Sequence, residues 1–199
     1  MKNYIVLGLL ILATVVSGCK KDEEDKKPSS YFEYDGKTYE LKHGFLENWG
    51  PTGLSSYNLD LILLSDSFVL HETGDVLDSI TGVGEGLYFE MFASKNDELP
   101  AGDYNYNASS YQSGTYDYAD FIINYNLETE QGTFFEIAGG KVAVTRNGAN
   151  YELTFDCTTS NGKSLKGQFK GSLRYFDFDI EMATPFKDHF QRSSIKPEK

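Results

Sequence analysis

Residues 139–176 run GGKVAVTRNGANYELTFDCTTSNGKSLKGQFKGSLRYF. Asn147–Gly148 and Asn161–Gly162 interrupt this stretch twice. Asn-Gly pairs suit tight turns because both residues tolerate a positive φ. Between the turns the side chains alternate. Val142 and Val144 sit among small or polar neighbours, and Tyr151, Leu153, Phe155 and Cys157 share one side of an extended chain. Glu152, Thr154 and Asp156 fall on the other side. Leu165, Gly167, Phe169, Gly171, Leu173 and Tyr175 oppose Lys166, Gln168, Lys170, Ser172 and Arg174 in the same way. A period of two belongs to strands, so the stretch predicts a three-stranded antiparallel meander with one dry and one wet face.

Outward from the meander, the same logic extends to Tyr31. YFEYDGKTYEL places Asp35–Gly36 between two aromatic-rich runs, a hairpin pattern. Residues 57–64, 86–94, 117–126 and 132–138 each read as strands, and none has the length or 3.6-residue period of an amphipathic helix. Residues 65–86, SDSFVLHETGDVLDSITGVGEG, break the rhythm and predict a short helix or a long loop. The expected fold is all-β, an antiparallel β-sandwich of about eight to ten strands, with a lipocalin-like β-barrel as the alternative.

The N-terminus differs in kind. Met1–Lys2–Asn3 is a short positive start, and Tyr4 to Val16 is an apolar run of thirteen residues. As a helix that run rises roughly 20 Å, short of the ~30 Å hydrocarbon core, and so reads as a secretory signal rather than a membrane span. Val16–Ser17–Gly18–Cys19 resembles the bacterial lipobox, in which the cysteine becomes the first mature residue and carries the acyl chains. That resemblance implies a membrane partner through covalent lipid at Cys19, since two or more chains anchor stably where one does not. The following Lys20, Lys21, Asp22, Glu23 and Glu24 resemble the export signal of Bacteroidetes surface lipoproteins. This implies an outer-membrane address facing the cell exterior, with the periplasmic face as the alternative. The chain thus divides into a signal peptide (1–18), a lipidated cysteine and charged tether (19–30), one β-domain (31–182) and a weakly patterned tail (183–199).

Composition narrows the function classes. The 199 residues carry 18 Lys and Arg against 30 Asp and Glu; removing residues 1–18 takes away one lysine and no acid. An excess of acids on this scale argues against nucleic-acid binding, which needs clustered cations. With Cys19 committed to lipid, Cys157 stands alone and no disulfide forms within the mature chain. Its register with Tyr151, Leu153 and Phe155 marks it as a small buried hydrophobe rather than a nucleophile.

Catalytic constellations do not emerge. His43, His71 and His189 occur in three unrelated contexts, and HExxH, CxxC and GxSxG patterns do not occur. GVGEG (82–86) lacks the lysine and strand–loop–helix setting of a phosphate loop. Asp75 with Asp78, or Asp117 with Asp120, could offer oxygens to Ca²⁺, but neither pair resembles an EF-hand loop, and solvated surface charge accounts for both. No cofactor or metal is expected. The most suggestive cluster is aromatic: Tyr104, Tyr106, Tyr111, Tyr116 and Tyr118, interleaved with Asn, Ser and Asp. Tyrosine joins a flat apolar face to a polar tip, which suits a glycan or protein ligand; alternating tyrosines equally favour strands.

One wider resemblance stands beside these readings. It is carried by Asp35–Gly36–Lys37, Tyr39, Leu41, Trp49–Gly50, Leu99–Pro100, Gly102, Tyr104, Gly139–Gly140, Val142, Val144, Tyr151, Leu153, Phe155, Gly167 and Gly171. Their order is similar to that in a family of Bacteroidetes lipoproteins of uncharacterised function, over about Tyr31 to Leu173. It implies an all-β domain on a lipid anchor and brings no catalytic residues. The expectation is therefore a non-enzymatic, lipid-anchored binding or accessory module at the cell surface. The alternatives are a surface glycan hydrolase with paired carboxylates, or a subunit of a surface filament or assembly.

Overall fold

The 139–176 stretch folds largely as its alternation requires. In the computed structural model, which describes residues 27–177, it forms β9 (Gln131–Asn147), β10 (Asn150–Thr159) and β11 (Ser164–Ser172) in antiparallel register. Along β10, burial alternates at every residue: Tyr151, Leu153, Phe155 and Cys157 face inward and Glu152, Thr154 and Asp156 face solvent. The tail of the stretch departs from expectation. The chain leaves β11 at Ser172, and Tyr175 belongs to β12 (Arg174–Asp177), which runs parallel to β3 (His43–Pro51).

The hairpin at Asp35–Gly36 joins β1 (Tyr31–Tyr34) to β2 (Lys37–Glu40), with φ of 51° and 75° at the two turn residues. β4 is Tyr57–Leu64, β7 is Gly102–Tyr106 and β8 is Thr115–Asn126. Residues 65–86 correct the sequence expectation. They form neither helix nor loop, but β5 (Phe68–Thr73) and the first half of β6 (Val76–Ala93), closed by a Gly74–Asp75 turn. The strand rhythm there is disguised by a bulge at Asp78 of β6, opposite His71–Glu72, which shifts the alternation of β6 by one residue. The described residues contain no helix. Residues 1–26 and 178–199 lie outside them, including Cys19, Lys20, Lys21, Asp22, Glu23, Glu24, His189 and the expected tail.

Eleven of the twelve strands follow one hydrogen-bonded path, β12-β3-β4-β6-β8-β7-β9-β10-β11-β1-β2, and β5 pairs with β6 beside it. The all-β expectation holds, with twelve strands in place of eight to ten and two parallel pairings, β12–β3 and β7–β8, among the antiparallel ones. The path curls on itself. Phe89 of β6 stacks on Phe155 of β10 at 5.8 Å between centroids, and Phe121 of β8 meets Phe32 and Tyr34 of β1 at 5.7 and 4.7 Å. These strands are not neighbours along the path, so only a rolled sheet brings them together. One wall is β3-β4-β6-β8; the facing wall is β10-β11-β1-β2; a single core of buried apolar side chains fills the space between.

The first wall is buried on both faces. Its inner face supplies Leu59, Leu61, Leu87, Phe89 and Phe121 to the main core. Its outer face carries Phe45, Ile62, Leu64, Tyr88 and Ile122, covered by Phe68, Leu77 and Ile80 of the β5–β6 hairpin. Residues 65–86 are thus a flap that keeps a second apolar surface from water, at roughly 25 cal/mol for each Å² covered.

β9 unites two expected strands into one of 17 residues. Within it Gly140 has a φ of 105°, and a Cβ there would sit 2.2 Å from the Asp156 carbonyl oxygen. Gly139 beside it has open space in the Cβ direction. Gly140→Ala is expected to destabilise the domain by about 3 kcal/mol or more, through clash and backbone strain together. Gly139→Ala should be neutral or stabilising by about 0.5 kcal/mol. Urea denaturation of the two variants checks the contrast; equal losses would show that Gly140's positive φ and close approach to β10 carry no special constraint.

Candidate functional site

The tyrosine segment does not assemble into an exposed platform. Tyr104 and Tyr116 are core residues, 3% and 0% exposed. Tyr104 donates to the Pro100 carbonyl at 3.1 Å. Tyr116 donates to the Gly139 carbonyl at 3.2 Å and lies 3.6 Å from the Cys157 sulfur. Burial pushes both phenols well above the ordinary tyrosine value, so both stay neutral. For these two the ligand-binding expectation is corrected: alternation in β7 and β8 turned them inward. Tyr106, Tyr111 and Tyr118 are half-buried and separate. Tyr106 packs edge-on against Tyr116, Tyr111 against Phe92, and Tyr118 against Tyr88.

Tyr118 leads to a more unusual feature, a band of carboxylates across the outer face of the first wall. Glu47 of β3 lies opposite Asp60 of β4, and Asp60 lies opposite Glu90 of β6. Glu90 in turn faces Tyr118 of β8, with Asp117 and Asp120 on the same strand. All five acids are at most 7% exposed, and Glu47 and Asp60 only 1%. Directly opposed residues in antiparallel strands place their Cβ atoms about 4.5–5.5 Å apart. Two unit charges at that separation repel by roughly 3 kcal/mol at an effective dielectric of 20. Such a row needs partners or protons.

Partners account for part of it. The Asn58 amide donates to Glu90 Oε1 at 2.9 Å, and Glu47, Asp60 and Glu90 are each engaged in further interactions. Tyr118 donates its hydroxyl to Asp120 Oδ2 at 3.1 Å. Protons account for the rest. Burial pushes Asp117 up to about 7, assisted by the negative charge of Glu90. Burial also pushes Asp120 up to about 7, against the opposing pull of the Tyr118 hydrogen bond. Glu47, Asp60 and Glu90 went unremarked in the sequence. The available signal was a single acid inside each of three apolar strands: FLENW, LDLIL and YFEMF.

Other candidates remain dispersed. His43 lies 3.9 Å from Asp66, with burial holding its pKa below the ordinary value. His71 meets the Thr81 hydroxyl at 2.8 Å on the flap. Asp78 accepts from Thr73 at 2.6 Å, and the Asp75 carbonyl accepts from Arg174. Among the described residues, no group of three or more His, Cys, Asp or Glu is arranged to hold a metal ion. Cys157 is 2% exposed and its thiol is pushed up to about 11 by burial, the setting of an unreactive core cysteine. A cavity of about 200 Å³ opens where β3, β5 and the β11–β12 junction meet, lined by His43, Phe45, Leu70, Leu173 and Arg174. Drug-sized ligand sites typically start near 300 Å³.

No protein family, curated protein or solved structure matches the chain at a significant level.

The carboxylate band makes stability depend on pH in a defined direction. Asp117 and Asp120 hold their protons more tightly folded than unfolded, where the value is near 3.8. Their contribution is fully present below about pH 4 and is lost as pH rises through about 7. Unfolding free energy should therefore fall between pH 5 and pH 8, by an amount on the order of 5 kcal/mol for the two groups together. The Asp117→Asn, Asp120→Asn double variant should flatten that fall. Urea titrations at both pH values measure it, and an unchanged slope would show that these two carboxyls are not the groups responsible.

Proposed function

We propose that this chain is a lipid-anchored protein of the bacterial outer membrane, exposed at the cell surface and serving there as a non-enzymatic binding or accessory domain. The observation that carries the proposal is Val16–Ser17–Gly18–Cys19, an apolar run ending in small residues and a cysteine, followed at once by a charged tether. Thiol acylation explains why a lone cysteine sits at that junction, and the Lys20 to Glu24 run supports passage to the outer face. The family resemblance between Tyr31 and Leu173 points the same way.

The domain itself supports binding better than catalysis. Its closely opposed carboxylates, Glu47, Asp60 and Glu90, would be the natural seat of a two-carboxylate hydrolase. At 1–5% exposure they do not offer a substrate the access that such chemistry needs. Among the proposed tyrosines, Tyr106, Tyr111 and Tyr118 keep exposed ring area, and they would be the aromatic contacts with a glycan or protein ligand.

Two measurements test the proposal. A Cys19→Ala variant should leave the membrane fraction for the soluble fraction, and its persistence in membranes would overturn the lipid anchor. Protease treatment of intact cells should cleave the chain at the same protease concentration that removes other surface proteins. Cleavage only after outer-membrane permeabilisation would place the domain on the periplasmic side.

A further inference from the structure

Asn147–Gly148 and Asn161–Gly162 are the chain's two Asn-Gly pairs, and by sequence they are equivalent turn signals. They also share a covalent chemistry. Glycine has no Cβ to keep its backbone at a distance, so its nitrogen, once deprotonated, can attack the Cγ carbonyl of the preceding asparagine. The new N–Cγ bond closes a five-membered succinimide ring. The bond from Cγ to Nδ2 breaks, and that nitrogen takes up a proton and leaves as ammonia. Water then opens the ring at one of its two carbonyls, giving aspartate or isoaspartate. One water is consumed and one ammonia released, with no cofactor or oxidant. The reaction needs a glycine amide free to lose its proton and a side chain free to swing onto it. Local structure therefore sets the rate.

At Asn161 the fold withholds both requirements. The side-chain amide donates to the Tyr34 hydroxyl at 2.8 Å. Its oxygen accepts from the Thr159 hydroxyl at 2.6 Å and from the Lys163 backbone amide at 3.2 Å. The attacking group is held as well, since the Gly162 amide donates to the Thr159 carbonyl at 2.8 Å. Tyr34 is a fixed anchor: its ring is buried against Phe121 and Phe135. An ion pair of Lys163 with Asp35, at 2.8 Å, ties the same turn to the β1–β2 hairpin. Four hydrogen bonds must break before the Gly162 nitrogen reaches Cγ, and each slows the step roughly fivefold at its ordinary net worth.

At Asn147 the same dipeptide is open. It sits at the tip of the β9–β10 hairpin, where Asn147, Gly148, Ala149 and Asn150 are all exposed. Among the described residues, neither the Asn147 side chain nor the Gly148 amide has a hydrogen-bond partner. Arg146 reaches the tip, but its Nε donates to the Gly148 carbonyl at 3.3 Å and leaves the glycine amide free. We infer that Asn147 is a site of spontaneous deamidation in the folded protein, and that Asn161, carrying the same sequence signal, is protected by its turn. The inference does not depend on where the protein resides. Conversion at Asn147 places a new carboxylate beside Arg146 and, as isoaspartate, lengthens the main chain of the hairpin by one carbon. Loss of ammonia makes the change one-way.

Peptide mapping by mass spectrometry tests the contrast. The full chain is held folded at pH 8 and 37 °C and sampled over weeks. Cleavage after Glu152 then puts the two asparagines on separate peptides. Replacing NH2 by OH adds about one dalton to the peptide that has reacted. In the folded chain Asn147 should convert at least tenfold faster than Asn161. In unfolding urea at the same pH the four bonds are gone, so the two rates should come within about twofold of each other. Equal rates in the folded chain, a faster Asn161, or a contrast that persists in urea would each overturn the inference. A Tyr34→Phe variant removes one of the four bonds. It should convert at Asn161 at least threefold faster, with Asn147 unchanged. Acceleration at neither site, or at both alike, would overturn the assignment of the protection to that turn.

Discussion

A sheet wall buried on both faces is the constraint from which much of this structure follows. Strands β4, β6 and β8 give one face to the main core, through Leu59, Leu61, Phe89 and Phe121. They give the other to the flap, through Ile62, Leu64, Tyr88 and Ile122. A wall of this kind has no wet side on which to place its polar residues. Any carboxylate encoded within it must be buried, paired or protonated. Glu47, Asp60, Glu90, Asp117 and Asp120 are in that position, which is why Asp117 and Asp120 titrate near neutrality rather than near pH 4. The opposite wall obeys the simpler rule. Its β10 strand faces core on one side and water on the other, so its charges remain exposed and form ordinary surface pairs such as Lys166 with Asp156.

The two walls give the domain different chemical faces without any change of fold. On one side, apolar residues are shielded by the β5–β6 flap, and a row of carboxyls is buried on the same wall. On the other, lysines and acids alternate on an open antiparallel surface beside the tether. The rolled path also leaves the free outer edge of β5 as a short strand of six residues, and short edge strands resist edge-to-edge pairing.

The legible parts of the fold were those where one face is wet. The meander and the Asp35–Gly36 hairpin were readable because Tyr151, Leu153, Phe155 and Cys157 alternate with charged neighbours and Asn-Gly or Asp-Gly pairs mark the turns. The flap was not, since the bulge at Asp78 shifts the alternation of β6, although Gly74–Asp75 offered a turn signal. Among the candidate residues, the tyrosines were visible and their exposure was not. Tyr104 and Tyr106 share a face of β7, but Tyr104 is paired against β9 and buried whereas Tyr106 ends the strand; Tyr111 lies in the loop before β8 and Tyr116 within it.

By itself the sequence determined the strand class, the two-residue turns, the solitary buried cysteine and the arrangement of apolar run, cysteine and charged stretch at the N-terminus. Each of these is local: a period, a pair of turn residues or a short motif specifies it. The tertiary structure decided that the sheet rolls on itself and that Glu47, Asp60 and Glu90 become neighbours. Those outcomes depend on which strands pair and in which register. That choice is made by the packing of residues distant in sequence, such as Phe32 against Phe121, and no local pattern encodes it.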